Sequence, residues 1–115
     1  MSWTLKVRDK FSAAHYLKEY KGKCEKVHGH TFQVEAVLEV EELDHTGIGI
    51  DFAQIKAKLA EVLPDHALLN EVFPFNPSAE NIARHLFGEL KKKYPVESVT
   101  VWESEDASAT YAEDD

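Results

Sequence analysis

Three histidines lie at spacings that could bring their imidazoles together on one face of a sheet. His28 and His30 are two residues apart in a segment of alternating polarity, so both side chains would project from the same face of a strand. His15 ends an earlier segment with the same alternation. A lone His-x-His pair is also common among ordinary core or surface residues, but the third histidine in phase favours a metal. Three imidazoles typically form a catalytic Zn²⁺ site with an open fourth position. We therefore predict Zn²⁺ at His15, His28 and His30, acting as a Lewis acid on a substrate oxygen.

A single cysteine lies close to these histidines in the sequence. Cys24 precedes His28 by four residues, in a polar segment that also contains Lys18, Lys21, Lys23 and Lys26. Positive charge lowers the pKa of a thiol from about 8.5 towards neutrality. Cys24 is therefore a candidate general base, and the alternative is an inert buried thiol.

Two further places in the sequence carry groups that could act on a substrate. Asp65 and His66 are neighbours in a connection rich in proline, where they are either turn residues or a functional pair. Glu103 is in phase with Val99 and Val101 on an otherwise apolar strand face. A carboxylate there needs a partner. It either forms an ion pair or holds a ligand, such as the two adjacent N–H donors of an amino-pyrimidinone ring.

The strands that must position these groups follow from period-two alternation. It predicts long strands from Trp3 to His15 and from His28 to Val40, with a bulge at Asp9, paired as an antiparallel hairpin. Shorter strands are predicted at 99–103 and 107–112.

Two helices are predicted between the strand pairs. Asp51 can cap the first, which Pro64 stops, and Ser78 can cap the second, which Pro95 ends. The order β-β-α-α-β-β predicts an α+β domain, with an antiparallel sheet and two helices on one face. Such a sheet has two open edges, which predicts an oligomer.

Composition limits the classes of protein that the chain could represent. Its 115 residues predict one domain over 1–115, and 43% hydrophobic residues suffice for one core. Neither a membrane span of roughly 20 apolar residues nor a secretory signal is predicted. A single cysteine favours a reducing, cytoplasmic compartment. The net charge of −8 argues against a nucleic-acid partner but is compatible with a small anionic ligand.

Five motifs resemble the 6-pyruvoyltetrahydropterin synthase superfamily in their types and order. They are Phe11–His15, Cys24–His30, Asp65–Asn70, Pro77–Asn81 and Val101–Ser104. Three residues separate Cys24 from His28, as in the bacterial 6-carboxytetrahydropterin synthases of queuosine biosynthesis. The resemblance therefore points to that branch.

The resemblance implies a tunnelling fold (T-fold), in which subunits join edge to edge into a barrel and trimers stack as hexamers. It implies Zn²⁺ on the three histidines and Cys24 as the proton acceptor. Asp65 and His66 would form a relay reaching in from a neighbouring subunit, and Glu103 would anchor the pterin ring. Ser78 and Glu80 match a segment that lines the pterin pocket in relatives, although Glu80 also suits the first turn of a helix.

The substrate implied by the resemblance is 7,8-dihydroneopterin triphosphate. The products would be 6-carboxy-5,6,7,8-tetrahydropterin, acetaldehyde and triphosphate. Three alternatives stay open: 6-pyruvoyltetrahydropterin synthase, which makes no carbon–carbon cleavage; a zinc hydrolase that would not need Cys24; and a non-catalytic zinc or pterin binder.

Overall fold

The hairpin that carries the histidines is the largest feature of a computed structural model, which describes residues 1–19 and 26–113. Strands β1 (Trp3–His15) and β2 (His28–Val40) pair antiparallel along their whole length. Both predicted strands are confirmed. The bulge predicted at Asp9 is wrong, because the register runs through it without interruption. The Asp9 carboxylate accepts the backbone N–H of Lys10 at 2.8 Å, so this polar side chain is satisfied within a regular strand.

The two faces of the hairpin differ in burial, as period two requires. Side chains on one face are buried, and the rings of Phe11 and Phe32 stack across the strand pair with their centroids 4.9 Å apart. On the opposite face Arg8, Thr31 and Gln33 are exposed. The candidate metal ligands therefore belong to the face that carries the core.

The predicted helices form where their caps were placed. Helix α1 (Phe52–Val62) follows Asp51, whose side chain accepts a backbone N–H of the first turn. The proline-rich connection that follows α1 has secondary structure that the sequence pattern did not predict. It contains a two-residue strand, β3 (Ala67–Leu68), and a four-residue helix, α2 (Leu69–Val72). The last helix, α3 (Ala79–Lys91), is capped by Ser78 in the same manner.

The short strand β3 changes the sheet from antiparallel to mixed. It pairs parallel to β1 at Ala13 and Ala14, which gives the strand order β3-β1-β2-β4-β5. The end of β1 next to His15 thus gains a partner that the sequence pattern did not reveal, because two residues are too few to show alternation. The α+β class is confirmed, whereas the purely antiparallel sheet is wrong and the short helix α2 was not predicted.

The sheet is completed by β4 (Val96–Trp102) and β5 (Ser108–Ala112). Helix α3 packs on both of these strands, and α1 packs on β1. Glu103 lies immediately after β4 rather than within it. Among the described residues, no helix is long and apolar enough to cross a membrane.

Candidate metal centre

The register of the hairpin brings the three histidines together. His15 lies directly opposite His28, and His30 lies opposite Ala13 on the same face. The ring centroid of His15 lies 4.6 Å from that of His28 and 5.3 Å from that of His30. The centroids of His28 and His30 are 4.8 Å apart. The three imidazoles therefore converge, as their spacing in the sequence predicts.

Backbone carbonyls fix the orientation of two of the rings. Nδ1 of His15 donates a hydrogen bond to the carbonyl oxygen of Pro77 at 2.7 Å, and Nδ1 of His28 donates to that of Lys26 at 2.7 Å. With the proton on Nδ1, the Nε2 atom of each neutral ring keeps its lone pair for a metal. Such outer partners are the usual way of orienting a metal-binding histidine.

Glu103 is the fourth member of the cluster. Its Oε1 atom lies 3.2 Å from Nε2 of His15 and 3.0 Å from Nε2 of His30. The second contact is short, but it lacks hydrogen-bond geometry, so Nε2 of His30 is buried without a hydrogen-bond partner. Nε2 of neutral His15 would likewise face the carboxylate as one acceptor facing another. A cation held by the imidazoles would resolve both conflicts.

The donor set fits a zinc ion. The ligand atoms of His15, His28, His30 and Glu103 all lie within 4.8 Å of one another. Burial lowers the pKa of His30, and the neighbouring His15 and His28 lower it further, whereas Glu103 opposes the shift. The lowered pKa favours the neutral imidazole that a metal requires. Three imidazoles that leave a fourth position open are typical of a catalytic Zn²⁺ site, and Glu103 lies beside them.

Asp65 and His66 form a contacting pair outside this cluster. Nδ1 of His66 lies 2.9 Å from Oδ2 of Asp65. His66 has a left-handed backbone, with φ of 55°. The backbone N–H of Ser12 donates to Asp65 at 2.8 Å and, together with His66, lowers the pKa of this carboxyl group. The side chain of Asp65 is 54% exposed and that of His66 is 83% exposed.

The remaining predicted site residues have simpler surroundings. The Ser78 side chain accepts the backbone N–H of Asn81 at 3.1 Å, and Glu80 is exposed in the first turn of α3. The contribution of this segment to the centre is the Pro77 carbonyl, which sequence reasoning missed because a backbone atom leaves no signal in residue type. Cys24 lies outside the described residues, as do Lys21 and Lys23.

Fold and site together define an α+β domain with a histidine-rich, metal-type centre at the end of a long hairpin. Residues 4–114 match the family described as 6-pyruvoyl tetrahydropterin synthase. The chain therefore belongs to this enzyme family, and the tunnelling-fold class expected from the motifs is confirmed. Within one chain the described sheet is open and not a closed barrel.

Individual relatives agree with this assignment. The chain is 42% identical over 99 residues to an Archaeoglobus fulgidus protein named as a candidate 6-carboxy-5,6,7,8-tetrahydropterin synthase, with 84% of each chain covered. It is 34% identical over 102 residues to the dihydroneopterin monophosphate aldolase of Pyrococcus furiosus, and the match covers 84% of this chain and 85% of that relative. The structure of Caenorhabditis elegans 6-pyruvoyl tetrahydropterin synthase superposes with a TM-score of 0.88 at 28% identity. The superposition covers 99% of this chain and 97% of that one.

Proposed function

We propose that this chain is a cytoplasmic zinc enzyme of queuosine biosynthesis. It converts 7,8-dihydroneopterin triphosphate and water into 6-carboxy-5,6,7,8-tetrahydropterin, acetaldehyde and triphosphate. The observation that carries the proposal is the cluster of three imidazoles and one carboxylate on a chain of this family. The 42% identity to a protein named for the same reaction supports the choice of branch.

Each residue of the cluster has a separate task in this reaction. The three histidines would hold the metal through Nε2, and zinc held there would supply Lewis-acid polarisation of the substrate's side-chain oxygens. Glu103 accepts the adjacent N–H groups of the pterin ring and so orients the substrate. Ser78 and Glu80 line the pocket of the pterin ring. The Ser78 hydroxyl already caps helix α3, so Ser78 contributes less to pterin binding than Glu80 does.

Proton transfer falls to Cys24 and to the Asp65–His66 pair. Cys24 removes a proton from the substrate carbon next to the polarised oxygen, and triphosphate leaves. Asp65 holds the imidazole of His66 through Nδ1, so Nε2 is the atom that exchanges protons with the substrate. Because both side chains are exposed and outside the cluster of their own chain, we assign them to the active site of a neighbouring subunit.

We assign the chain to a homohexamer built from two trimers, and the free sheet edges support association between copies. Strand β3 covers β1 only at Ala13 and Ala14, and β5 ends the sheet on the other side. Pairing of these edges between copies would satisfy their backbone groups. Light scattering should show a hexamer, and a fully active monomer at micromolar concentration would contradict both the assembly and the shared site.

A second candidate is aldol cleavage of a dihydroneopterin phosphate, which the Pyrococcus furiosus relative favours. The same metal centre could polarise the substrate for a retro-aldol split of its side chain. That reaction releases a phosphorylated two-carbon aldehyde rather than acetaldehyde. The pyruvoyl synthase alternative, which the Caenorhabditis elegans structure keeps open, eliminates triphosphate without any aldehyde.

Product analysis tests all three reactions in one experiment. Zinc-loaded protein is incubated with dihydroneopterin triphosphate and, separately, with the monophosphate, and the products are identified by mass. Our proposal expects acetaldehyde and the carboxypterin from the triphosphate. A phosphorylated aldehyde from the monophosphate alone would replace the proposal with the aldolase, and a pyruvoyl product without aldehyde would replace it with the pyruvoyl synthase. Absence of turnover with both substrates would refute enzymatic action on these pterins.

A further inference from the structure

The backbone that follows His15 is held by two asparagine side chains in the same way. Oδ1 of Asn70 accepts the N–H of Tyr16 at 2.9 Å, and Nδ2 of Asn70 donates to the Tyr16 carbonyl at 3.0 Å. Oδ1 of Asn76 accepts the N–H of Lys18 at 2.9 Å, and its Nδ2 approaches the Lys18 carbonyl at 3.4 Å. Each amide therefore pairs with both backbone groups of one residue.

This pairing extends the support of β1 beyond the end of the strand. Strand β3 pairs with Ala13 and Ala14, and the Pro77 carbonyl accepts from the ring of His15. The two asparagines continue the series on the next residues of the chain. A side-chain amide presents a donor and an acceptor side by side, as a neighbouring strand would. One segment, residues 67–77, thus holds the chain from Ala13 to Lys18.

The second asparagine is itself anchored on a rigid element. The backbone carbonyl of Asn76 accepts Nδ2 of Asn81 at 2.9 Å, and Asn81 lies in the first turn of α3. The backbone N–H of Asn81 is bonded to Ser78. The hydrogen bonds between Asn76 and Lys18 are therefore fixed to the start of a helix whose inner face is buried in the core.

The hydrogen bonds of Asn70 and Asn76 lie next to a candidate metal ligand, and this location indicates what they do. His15 is the last residue of β1 and His28 is the first residue of β2, so both ligands lie where a strand ends. Strand ends open readily when their backbone groups lack partners. A ligand at such an end loses the fixed geometry on which metal affinity depends.

We propose that Asn70 and Asn76 are positioning residues of the metal centre. By clamping the backbone after His15, they keep its Nε2 directed at the point where the other two imidazoles converge. They do not touch metal or substrate. This inference rests on the proposed zinc binding, and it predicts that the clamp sets metal affinity as well as stability.

The test compares zinc affinity in Asn70→Ala, Asn76→Ala and the double variant. Dissociation constants are measured by competition with a chelator, well below the melting temperature, in samples that circular dichroism shows to be folded. We expect each single variant to bind Zn²⁺ about 10-fold more weakly and the double variant up to about 100-fold, the usual range for outer partners of metal ligands. The visible spectrum of bound Co²⁺ should also change.

A matched control separates positioning from general destabilisation. Asp44 accepts three hydrogen bonds in the turn after β2, at the other end of the hairpin. Asp44→Ala should lower the melting temperature and leave zinc affinity unchanged. Asn76→Ala, which removes the pair with the longer contact, is the milder variant and decides the matter if Asn70→Ala does not fold.

Two results would overturn the positioning role. One is a zinc dissociation constant within twofold of the original protein in folded Asn76→Ala and Asn70→Ala. The other is an equal loss of affinity in Asp44→Ala, which would trace the effect to stability alone. Failure of the unaltered protein to bind zinc would instead refute the proposed function, and the positioning role with it.

Discussion

Replacement of Glu103 by glutamine tests the part of the proposed site that recognises the pterin. Glu103→Gln keeps the shape of the side chain but removes its negative charge. The original side chain is only 29% exposed, so its hydrogen bonds to a ligand are partly shielded from water. A hydrogen bond to a charged group contributes about 1.5–3 kcal/mol. Loss of one such bond should weaken pterin binding by about 10-fold to about 150-fold, at 1.4 kcal/mol for each factor of ten.

The assay separates ligand binding from metal binding. Affinity for neopterin, which serves as an unreactive fluorescent analogue, is measured by titration of the zinc-loaded protein. Zinc content is measured by elemental analysis and should be unchanged, because three imidazoles remain. Glu105→Gln is the matched control, since Glu105 is an exposed carboxylate two residues away, and it should bind as the original does.

The result that would refute this role is normal pterin binding by folded Glu103→Gln. If that variant also melts at a lower temperature, Glu103 is a structural partner of the imidazoles. The 3.0 Å and 3.2 Å contacts to His30 and His15 would then be its whole contribution.

Three further changes test the metal, the general base and one turn. Alanine at any one of the three histidines should strongly reduce bound zinc, measured by elemental analysis; undiminished zinc in all three variants would contradict the centre. Cys24→Ala should keep zinc but lose about 10²-fold or more in turnover, and near-normal turnover would exclude its role as base. Hydrogen bonds from Thr46 and Ile48 lower the pKa of Asp44, so its charge stabilises the fold above pH about 4 and this contribution disappears as the pH falls further. The original protein should therefore melt at a higher temperature than Asp44→Asn at pH 7, and the difference should shrink as the pH falls below about 4. A difference that stays constant with pH would contradict the charge effect.

Local patterns in the sequence were sufficient to predict most of the strands and helices. Alternation of apolar residues predicts both long strands, and it predicts that His28 and His30 share a face, because period two leaves no other choice. Asp51 and Ser78 mark the starts of their helices correctly, since a cap satisfies backbone groups only a few residues away. These features depend on neighbours in the chain and can be read from it.

Tertiary structure alone decided how distant residues meet. The register that places His15 opposite His28 arises from pairing along the entire hairpin, and β3 forms only because the edge of β1 is available. The carbonyl oxygens of Lys26 and Pro77 orient two imidazoles, yet every residue type carries a carbonyl, so no sequence pattern could identify them. Sequence determined which side chains could bind a metal, while long-range pairing determined which atoms hold them in place.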